Sequence, residues 1–110
     1  KEIQMKLNKT ILLTSSIVLL SALSTSASAD GAALYSAKTC WSCHGKDAKT
    51  PLLPLYPKLA GQNRDYALNQ MKDIKSGARN NGMAAAMQGV MGLVNEAEMG
   101  EIADWLSSLK

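Results

Sequence analysis

A five-residue segment, Cys40-Trp41-Ser42-Cys43-His44, limits most strongly what this chain can fold into. It contains both cysteines and the one histidine of the 110 residues. Cys-x-x-Cys-His is the attachment signature of c-type haem, because two thiols one helical turn apart can each add to a vinyl group of one porphyrin while the neighbouring imidazole lies under the iron. We therefore predict that Cys40 and Cys43 attach a haem c and that His44 binds its iron.

Three other uses of a Cys-x-x-Cys pair compete with haem attachment: a structural disulfide, a thioredoxin-like redox pair and a zinc site. Zinc prefers four ligands, and the motif offers three. A thioredoxin-like pair requires a βαβ setting, which the composition argues against. A haem-free thiol protein, with a disulfide or a dithiol at Cys40 and Cys43, stays open as the main alternative.

The first 29 residues have the pattern of a secretory signal peptide. Lys6 and Lys9 precede a mainly apolar run over 11–23, and a small-x-small cleavage site ends at Ala29. Met5 is the expected start, so that Lys1 to Gln4 are extraneous residues or an upstream extension. Because the apolar run is shorter than the roughly 20 residues that span a bilayer, we predict cleavage, export to the periplasm and no membrane insertion afterwards.

Residues 30–110 then suffice for one small domain. Lysines of the leader account for most of the net charge of +3, so the domain itself is close to neutral. A nearly neutral domain argues against nucleic-acid binding, which requires a basic face. The chain has no phenylalanine, and small scaffolds usually need a disulfide, a metal or a cofactor to complete their core. A buried porphyrin would supply that apolar surface.

The composition after residue 30 predicts an all-α fold, because β-branched residues are few and helix formers dominate. A first helix is expected from Asp30 or Gly31 into the cysteine motif. The segment 46–62, rich in proline and leucine, is expected to be non-helical.

Two further helices have recognisable ends. Asn63 is the expected N-cap of one, and Gly77 its C-terminal stop. The last helix begins after Asn95, which forms the pattern of a capping box with Glu98. Between them, 83–91 is predicted to be a short helix or a tight loop. The apolar spacing predicts that one face of each long helix is buried.

A haem bound by one histidine has a second axial position, and methionine is the remaining natural ligand in this chain. Met71 and Met99 lie on apolar helical stripes, which favours core packing for both. Met83, Met87 and Met91 follow at intervals of four and share one helical face. The spacing indicates that at least two of these three pack in the core, and it leaves open which one binds the iron.

Several further motifs carry a family resemblance over nearly all of residues 30–110. They are Gly31, Leu34 and Tyr35 before the cysteine segment, Gly45 after it, Tyr56-Pro57-Lys58-Leu59-Ala60-Gly61-Gln62, Tyr66, Gln70-Met71-Lys72-Asp73, Lys75, Gly77 and Arg79-Asn80. With this set the chain resembles the short class I cytochromes c of bacteria, and equally each half of the dihaem proteins of that class. The resemblance implies the cytochrome c fold, with three main helices and a short one wrapped around a covalently attached haem.

The resemblance also implies a role for individual residues. The carbonyl of Pro57 would accept a hydrogen bond from the imidazole of His44 and fix its orientation. Met87 would be the sixth ligand, because in such proteins a Met-x-Gly-Val segment stands seven residues before the apolar residue that leads the last helix. Met83 is the second choice. Arg79 is a candidate partner of a haem propionate.

The implied function is that of a soluble periplasmic electron carrier with one haem c, which connects respiratory donors to a terminal reductase or oxidase. His44 and Met87 would fill both axial positions, so we expect no catalysis. Partners are expected to be redox proteins that bind transiently over a small interface, and the carrier is expected to be a monomer. The alternative is a protein with a labile methionine bond, suggested by the glycine and alanine around Met87, that binds a gas or peroxide.

The resemblance also implies that the first and last helices cross near Gly31 and Trp105.

Overall fold

The computed structural model describes residues 30–110, and the predicted signal peptide lies outside them. This part of the chain contains five α-helices and no β-strand. The helices are α1 Gly31–Ala37, α2 Trp41–His44, α3 Arg64–Ser76, α4 Ala84–Met91 and α5 Glu96–Ser108. The predicted all-α fold is confirmed, with a one-turn helix at the cysteine motif in addition to the expected elements.

The expectation that the first helix continues into the cysteine motif is wrong. Asp30 caps α1 by accepting a hydrogen bond from the Ala32 amide at 3.0 Å, but the helix ends at Ala37. The amides of Thr39 and Cys40 donate back into its last turn, which is the pattern of a Schellman motif. That motif places Thr39 in the left-handed region, at φ 61°, and the chain changes direction before α2 begins.

The ends of α3 and α5 follow from local chemistry, as predicted. Asn63 accepts a hydrogen bond from the Tyr66 amide at 3.0 Å and begins α3. Gly77 ends this helix with φ 81°, a conformation that costs glycine little. At the start of α5, the side chain of Asn95 accepts from the Glu98 amide, and the Glu98 carboxylate accepts from the Asn95 amide.

The core lies where α1 and α3 pack against α5, with α4 against α3. The crossing of α1 and α5 is very close, because a Cβ built on Gly31 would lie 2.1 Å from the carbonyl oxygen of Glu101 and 2.6 Å from Cβ of Trp105. The expected crossing near Gly31 and Trp105 is therefore confirmed. The buried faces of the two long helices α3 and α5, as predicted, supply the largest part of the core, which includes Ala67, Met71, Ile74, Met91, Val94, Met99, Ile102, Ala103 and Leu106.

The predicted non-helical segment between α2 and α3 is confirmed. Its leucines divide into two groups, since Leu59 packs against the core whereas Leu52, Leu53 and Leu55 are exposed. None of the helices within residues 30–110 is both long and apolar enough to cross a membrane.

Candidate functional site

The cysteine motif forms the one-turn helix α2. Cys40 is its N-cap residue, and the Cys40 carbonyl accepts hydrogen bonds from the amides of Cys43 and His44 at 3.3 and 3.1 Å. Residues three apart on a helix lie on the same side, so this turn places the two side chains next to each other. Both thiols are free and half-buried, and burial raises the pKa of the Cys40 thiol.

His44 ends α2 and is buried, with 7% of its surface exposed. Its Nδ1 lies 2.9 Å from the carbonyl oxygen of Pro57. A carbonyl oxygen can only accept, so this contact requires the proton to be on Nδ1. Within residues 30–110 the hydrogen bond that holds this ring is the one at Nδ1. The fold therefore leaves the Nε2 lone pair of a fixed imidazole available as a ligand.

A tight turn after α2 directs the chain towards Pro57. Gly45 has φ 84°, and a Cβ built on it would lie 2.2 Å from the carbonyl oxygen of Thr50. The carboxylate of Asp47 accepts hydrogen bonds from the amides of Lys49 and Thr50, both at 2.9 Å. These two amide donors hold the pKa of Asp47 below its usual range.

Backbone hydrogen bonds then join this turn to the chain on either side of Pro57. The carbonyl of Ala48 accepts from the amides of Leu59 and Ala60, at 2.9 and 3.1 Å, and the carbonyl of Cys43 accepts from the Leu52 amide at 3.0 Å. Ala48 itself is fully buried. The position of the Pro57 carbonyl relative to His44 is thus set by the backbone of the whole segment.

Tyr35 connects the motif to the crossing of α1 and α5. Its hydroxyl donates to the carbonyl of Gly45 at 2.7 Å, and its ring lies 4.9 Å from that of Trp105. Burial raises the pKa of Tyr35 far above its usual value, so that the hydroxyl stays protonated as a donor. No role for this hydroxyl was predicted; the available signal was a tyrosine five residues before the first cysteine.

The five methionines of residues 30–110 occupy three kinds of position. Met71, Met91 and Met99 are buried in the core, as expected for Met71 and Met99. Met83 is the N-cap residue of α4 and is 51% exposed. Met87 is half-buried in the middle of α4 and packs against the core cluster.

Arg79 lies in the turn after α3 and is exposed. Its amide donates to the carbonyl of Asp73 at 3.0 Å, and its guanidinium donates to the side chain of Gln70 at 3.0 Å. The side chain is thus oriented along α3 by one neutral partner and keeps further donors for an anion.

The donor set fits a haem better than a bare metal ion. Within residues 30–110 no group of three or more histidine, cysteine, aspartate or glutamate side chains is arranged to hold a metal ion. Two half-buried thiols on one turn and a buried imidazole with one nitrogen held are, in contrast, what a covalently attached porphyrin requires. The fold and this site together define a c-type cytochrome domain.

The family comparison agrees with the geometry. Residues 28–110 match the family model for cytochrome c, and the chain belongs to that family. The cofactor is accordingly a covalently bound haem c with its iron.

Three relatives illustrate the range of proteins that the chain resembles. It is 39% identical over 74 residues to a cytochrome c4 of Pseudomonas aeruginosa, which covers 67% of this chain and 35% of that protein. It is 36% identical over 70 residues to a cytochrome c-554(548) of Halomonas halodenitrificans, covering 64% of this chain and 83% of that protein. A thiosulfate dehydrogenase electron acceptor of Stutzerimonas stutzeri is 33% identical over 88 residues, and the match covers 74% of this chain and 39% of that protein. The chain thus spans only about a third of the length of the cytochrome c4 that it matches.

Proposed function

We propose that residues 30–110 form a one-electron carrier in which Cys40 and Cys43 bind haem c and His44 and Met87 coordinate its iron. The observation that carries this proposal is the buried imidazole of His44, whose Nδ1 is held by the Pro57 carbonyl so that Nε2 is left for iron. When bound, haem c supplies one-electron exchange between ferric and ferrous iron. The protein supplies the ligands, their orientation and an apolar surrounding.

The carbonyl of Pro57 has a specific task in this arrangement. A hydrogen bond from Nδ1 to a backbone carbonyl selects the tautomer with a free Nε2, holds the ring plane and makes Nε2 more basic. The loop hydrogen bonds that end at Ala48 and Cys43 hold that carbonyl in place. The axial ligand is thereby oriented before any partner protein binds.

Met87 is the sixth ligand in this proposal, and the burial of the methionines supports it. Three methionines are committed to the core, whereas Met83 is largely exposed at the start of α4. Met87 is partly covered and partly accessible, as a thioether bound to a haem at the edge of a core must be. With two protein ligands the iron has no position for a substrate, so we propose a carrier without catalysis of its own.

The exposed leucines of the loop between α2 and α3 support a contact surface for redox partners. Leu52, Leu53 and Leu55 expose 71%, 42% and 59% of their surfaces, and apolar clusters of this kind suit brief protein contacts over a small area. The relative named as an electron acceptor of thiosulfate dehydrogenase supports the same role. Because residues 30–110 carry little net charge, we expect the electron-transfer rate to depend only weakly on salt.

Two further roles complete the proposal. The guanidinium of Arg79 pairs with a haem propionate, for which its exposed donors are suited.

Residues 1–29 direct export to the periplasm and are removed. Amino-terminal sequencing of the exported protein tests this, and the expected first residue is Asp30. The mature carrier is a monomer, which sedimentation analysis tests.

A visible spectrum of the exported protein, oxidised, reduced and then exposed to carbon monoxide, tests the ligand set. We expect a reduced c-type spectrum, a long-wavelength sulfur-to-iron band in the ferric form and no response to carbon monoxide. Met87→Ala should abolish that band and lower the reduction potential, since methionine ligation raises it. Met83→Ala is the matched control and should keep the band.

Three outcomes contradict the proposal in different ways. If Met83→Ala alone removes the band, the assignment of Met87 is wrong. A wild-type protein that binds carbon monoxide rapidly is instead a gas-binding or peroxide-binding protein with a labile methionine. A mature chain without added haem mass is a thiol protein.

A further inference from the structure

The connection between α4 and α5, residues 92–94, has an unusual arrangement of backbone partners. Its three N–H groups all donate back to carbonyl oxygens in the last turn of α4, at 3.0 to 3.1 Å. Two of its carbonyl oxygens accept from lysine side chains that come from other parts of the fold. Lys38, which follows α1, donates to Leu93, and Lys75, near the end of α3, donates to Val94.

These lysine contacts join segments that are far apart in the chain. Lys38 Nζ lies 2.8 Å from the Leu93 carbonyl oxygen, across 55 residues, and Lys75 and Val94 are 19 residues apart. The Val94 side chain is fully buried. Three kinds of contact therefore hold the connection: backbone hydrogen bonds to α4, hydrogen bonds from two lysines, and the burial of Val94 in the core.

The opposite end of α4 is held by packing and by the backbone: Ala84 is buried in the core, and its amide donates to the Asn81 carbonyl at 3.1 Å. Met83, its N-cap residue, makes no side-chain capping hydrogen bond, and the preceding residues 80–82 are exposed. Because α4 has only two turns, it moves as a unit, and a change at either end is transmitted to Met87. The position of Met87 in the middle of α4 thus depends on the connection 92–94 together with the packing of Ala84 and Met91 in the core.

The charges around the connection show that the lysines do more than neutralise acids. Both ammonium groups lie near the N-terminus of α5, whose helix dipole disfavours cations there. The carboxylate of Glu98 faces them, since it pairs with Lys38 at 3.0 Å and accepts from the Asn95 amide. Glu96 lines the same surface cavity as Lys75. The amide of Asn95 and then Lys38 hold the pKa of Glu98 below its usual range. Beside these acidic neighbours, each ammonium group also binds a backbone carbonyl of the connection.

We infer that Lys38 and Lys75 are positioning residues, which hold the connection 92–94 and thereby keep Met87 directed at the haem iron. This inference rests on the proposed function, in which Met87 is a ligand. Loss of one lysine should let α4 swing away from the haem while α1, α3 and α5 stay folded. The iron–sulfur bond should then open at lower denaturant concentration than that needed to unfold the helices.

The test compares Lys75→Met with Lys72→Met in the haem-loaded protein. Both substitutions remove one positive charge from α3, but the pair that Lys72 forms is with the exposed carboxylate of Glu96. Two transitions are followed against guanidinium: the sulfur-to-iron band of the ferric form and the far-ultraviolet circular dichroism of the helices. Carbon monoxide binding to the ferrous form is measured in parallel.

For Lys75→Met we expect the sulfur-to-iron band to disappear at a lower guanidinium concentration than the helical signal. The two midpoints should lie further apart than in the wild type. Carbon monoxide, to which we expect no response in the wild type, should bind measurably to this variant, because loss of a hydrogen bond from a charged donor favours the open site. Lys72→Met should keep the wild-type separation of the two transitions and should not respond to carbon monoxide. Lys75→Arg, which retains a cationic donor, should restore part of the effect.

The possible results separate this inference from the proposed function. If both transitions of Lys75→Met shift together, or if Lys72→Met behaves in the same way, the lysine has only a structural role and the inference is wrong. If Lys75→Met does not fold, Lys38→Met removes the other donor, and the same comparison decides. A wild-type protein without the band refutes methionine ligation itself.

Discussion

Gly31→Ala tests the closest contact in the fold, the crossing of α1 and α5. The added Cβ would lie 2.1 Å from the Glu101 carbonyl oxygen, whereas a carbon and a carbonyl oxygen normally stay about 3.3 Å apart. The backbone of α5 cannot move away by a rotamer change. The two helices must therefore separate by about 1.2 Å at this point.

The cost of this separation can be estimated from packing. A gap of about 0.5–1 Å already forfeits a quarter to a half of a dispersion contact, and the contact of Tyr35 with Trp105 lies in the same interface. Overpacking usually costs about 1–3 kcal/mol, and we expect about 3 kcal/mol here because the clash involves backbone. At about 4–8 °C per kcal/mol for a domain of this size, Tm should fall by about 12–24 °C.

Thermal unfolding of the haem-loaded protein, followed by circular dichroism, measures this effect. Gly100→Ala is the matched control, because its Cβ would lie 3.6 Å from Arg64 Nη2, an ordinary contact, in the interior of α5. This control should gain about 0.5–1 kcal/mol, since alanine is the better helix former. If Gly31→Ala melts at or above the wild-type temperature, the argument for a close crossing is refuted.

Three further predictions concern the surroundings of the motif and the pH dependence of stability. Thr39→Asn should stabilise the protein by about 1 kcal/mol, because asparagine tolerates the left-handed conformation better than threonine; an unchanged guanidinium midpoint would contradict this. Tyr35→Phe should cost about 0.5–1.5 kcal/mol by removing the hydrogen bond to Gly45, and an unfolding free energy equal to wild type would count against it. Asp47 and Glu98 have lowered pKa values in the folded state, so the stability they contribute is present above about pH 4.3 and is lost as the pH falls further. Unfolding measured from pH 7 to pH 3 should show this loss, and Asp47→Asn should reduce the acid slope.

Local chemistry explains which parts of the fold could be predicted from the sequence. The ends of α3 and α5 depend on Asn63, Gly77 and Asn95, each of which acts on residues at most four positions away. The class of cofactor depends on a contiguous motif, Cys40 to His44. In a helical turn its spacing places both thiols on one side and the imidazole next to them. For these features no knowledge of distant contacts was needed.

The break after α1 and the partners of the site could not be predicted in this way. Threonine rarely adopts the left-handed conformation, so the residue type at position 39 does not predict the turn. The turn forms because the path from α1 to α2 requires it. The hydroxyl of Tyr35 reaches Gly45 only after the chain has turned there. The choice of Met87 as ligand stays a prediction, because spacing alone gives Met83 and Met91 the same helical face.

The sequence by itself determined an all-helical chain with a haem-attachment motif, because periodicity, caps and the motif act over a few residues. Only the tertiary structure decided which distant segments meet, because Lys38 reaches Leu93 and His44 reaches Pro57 across 55 and 13 residues. Contacts over such distances depend on the packing of whole helices, and they leave no periodic pattern in the chain.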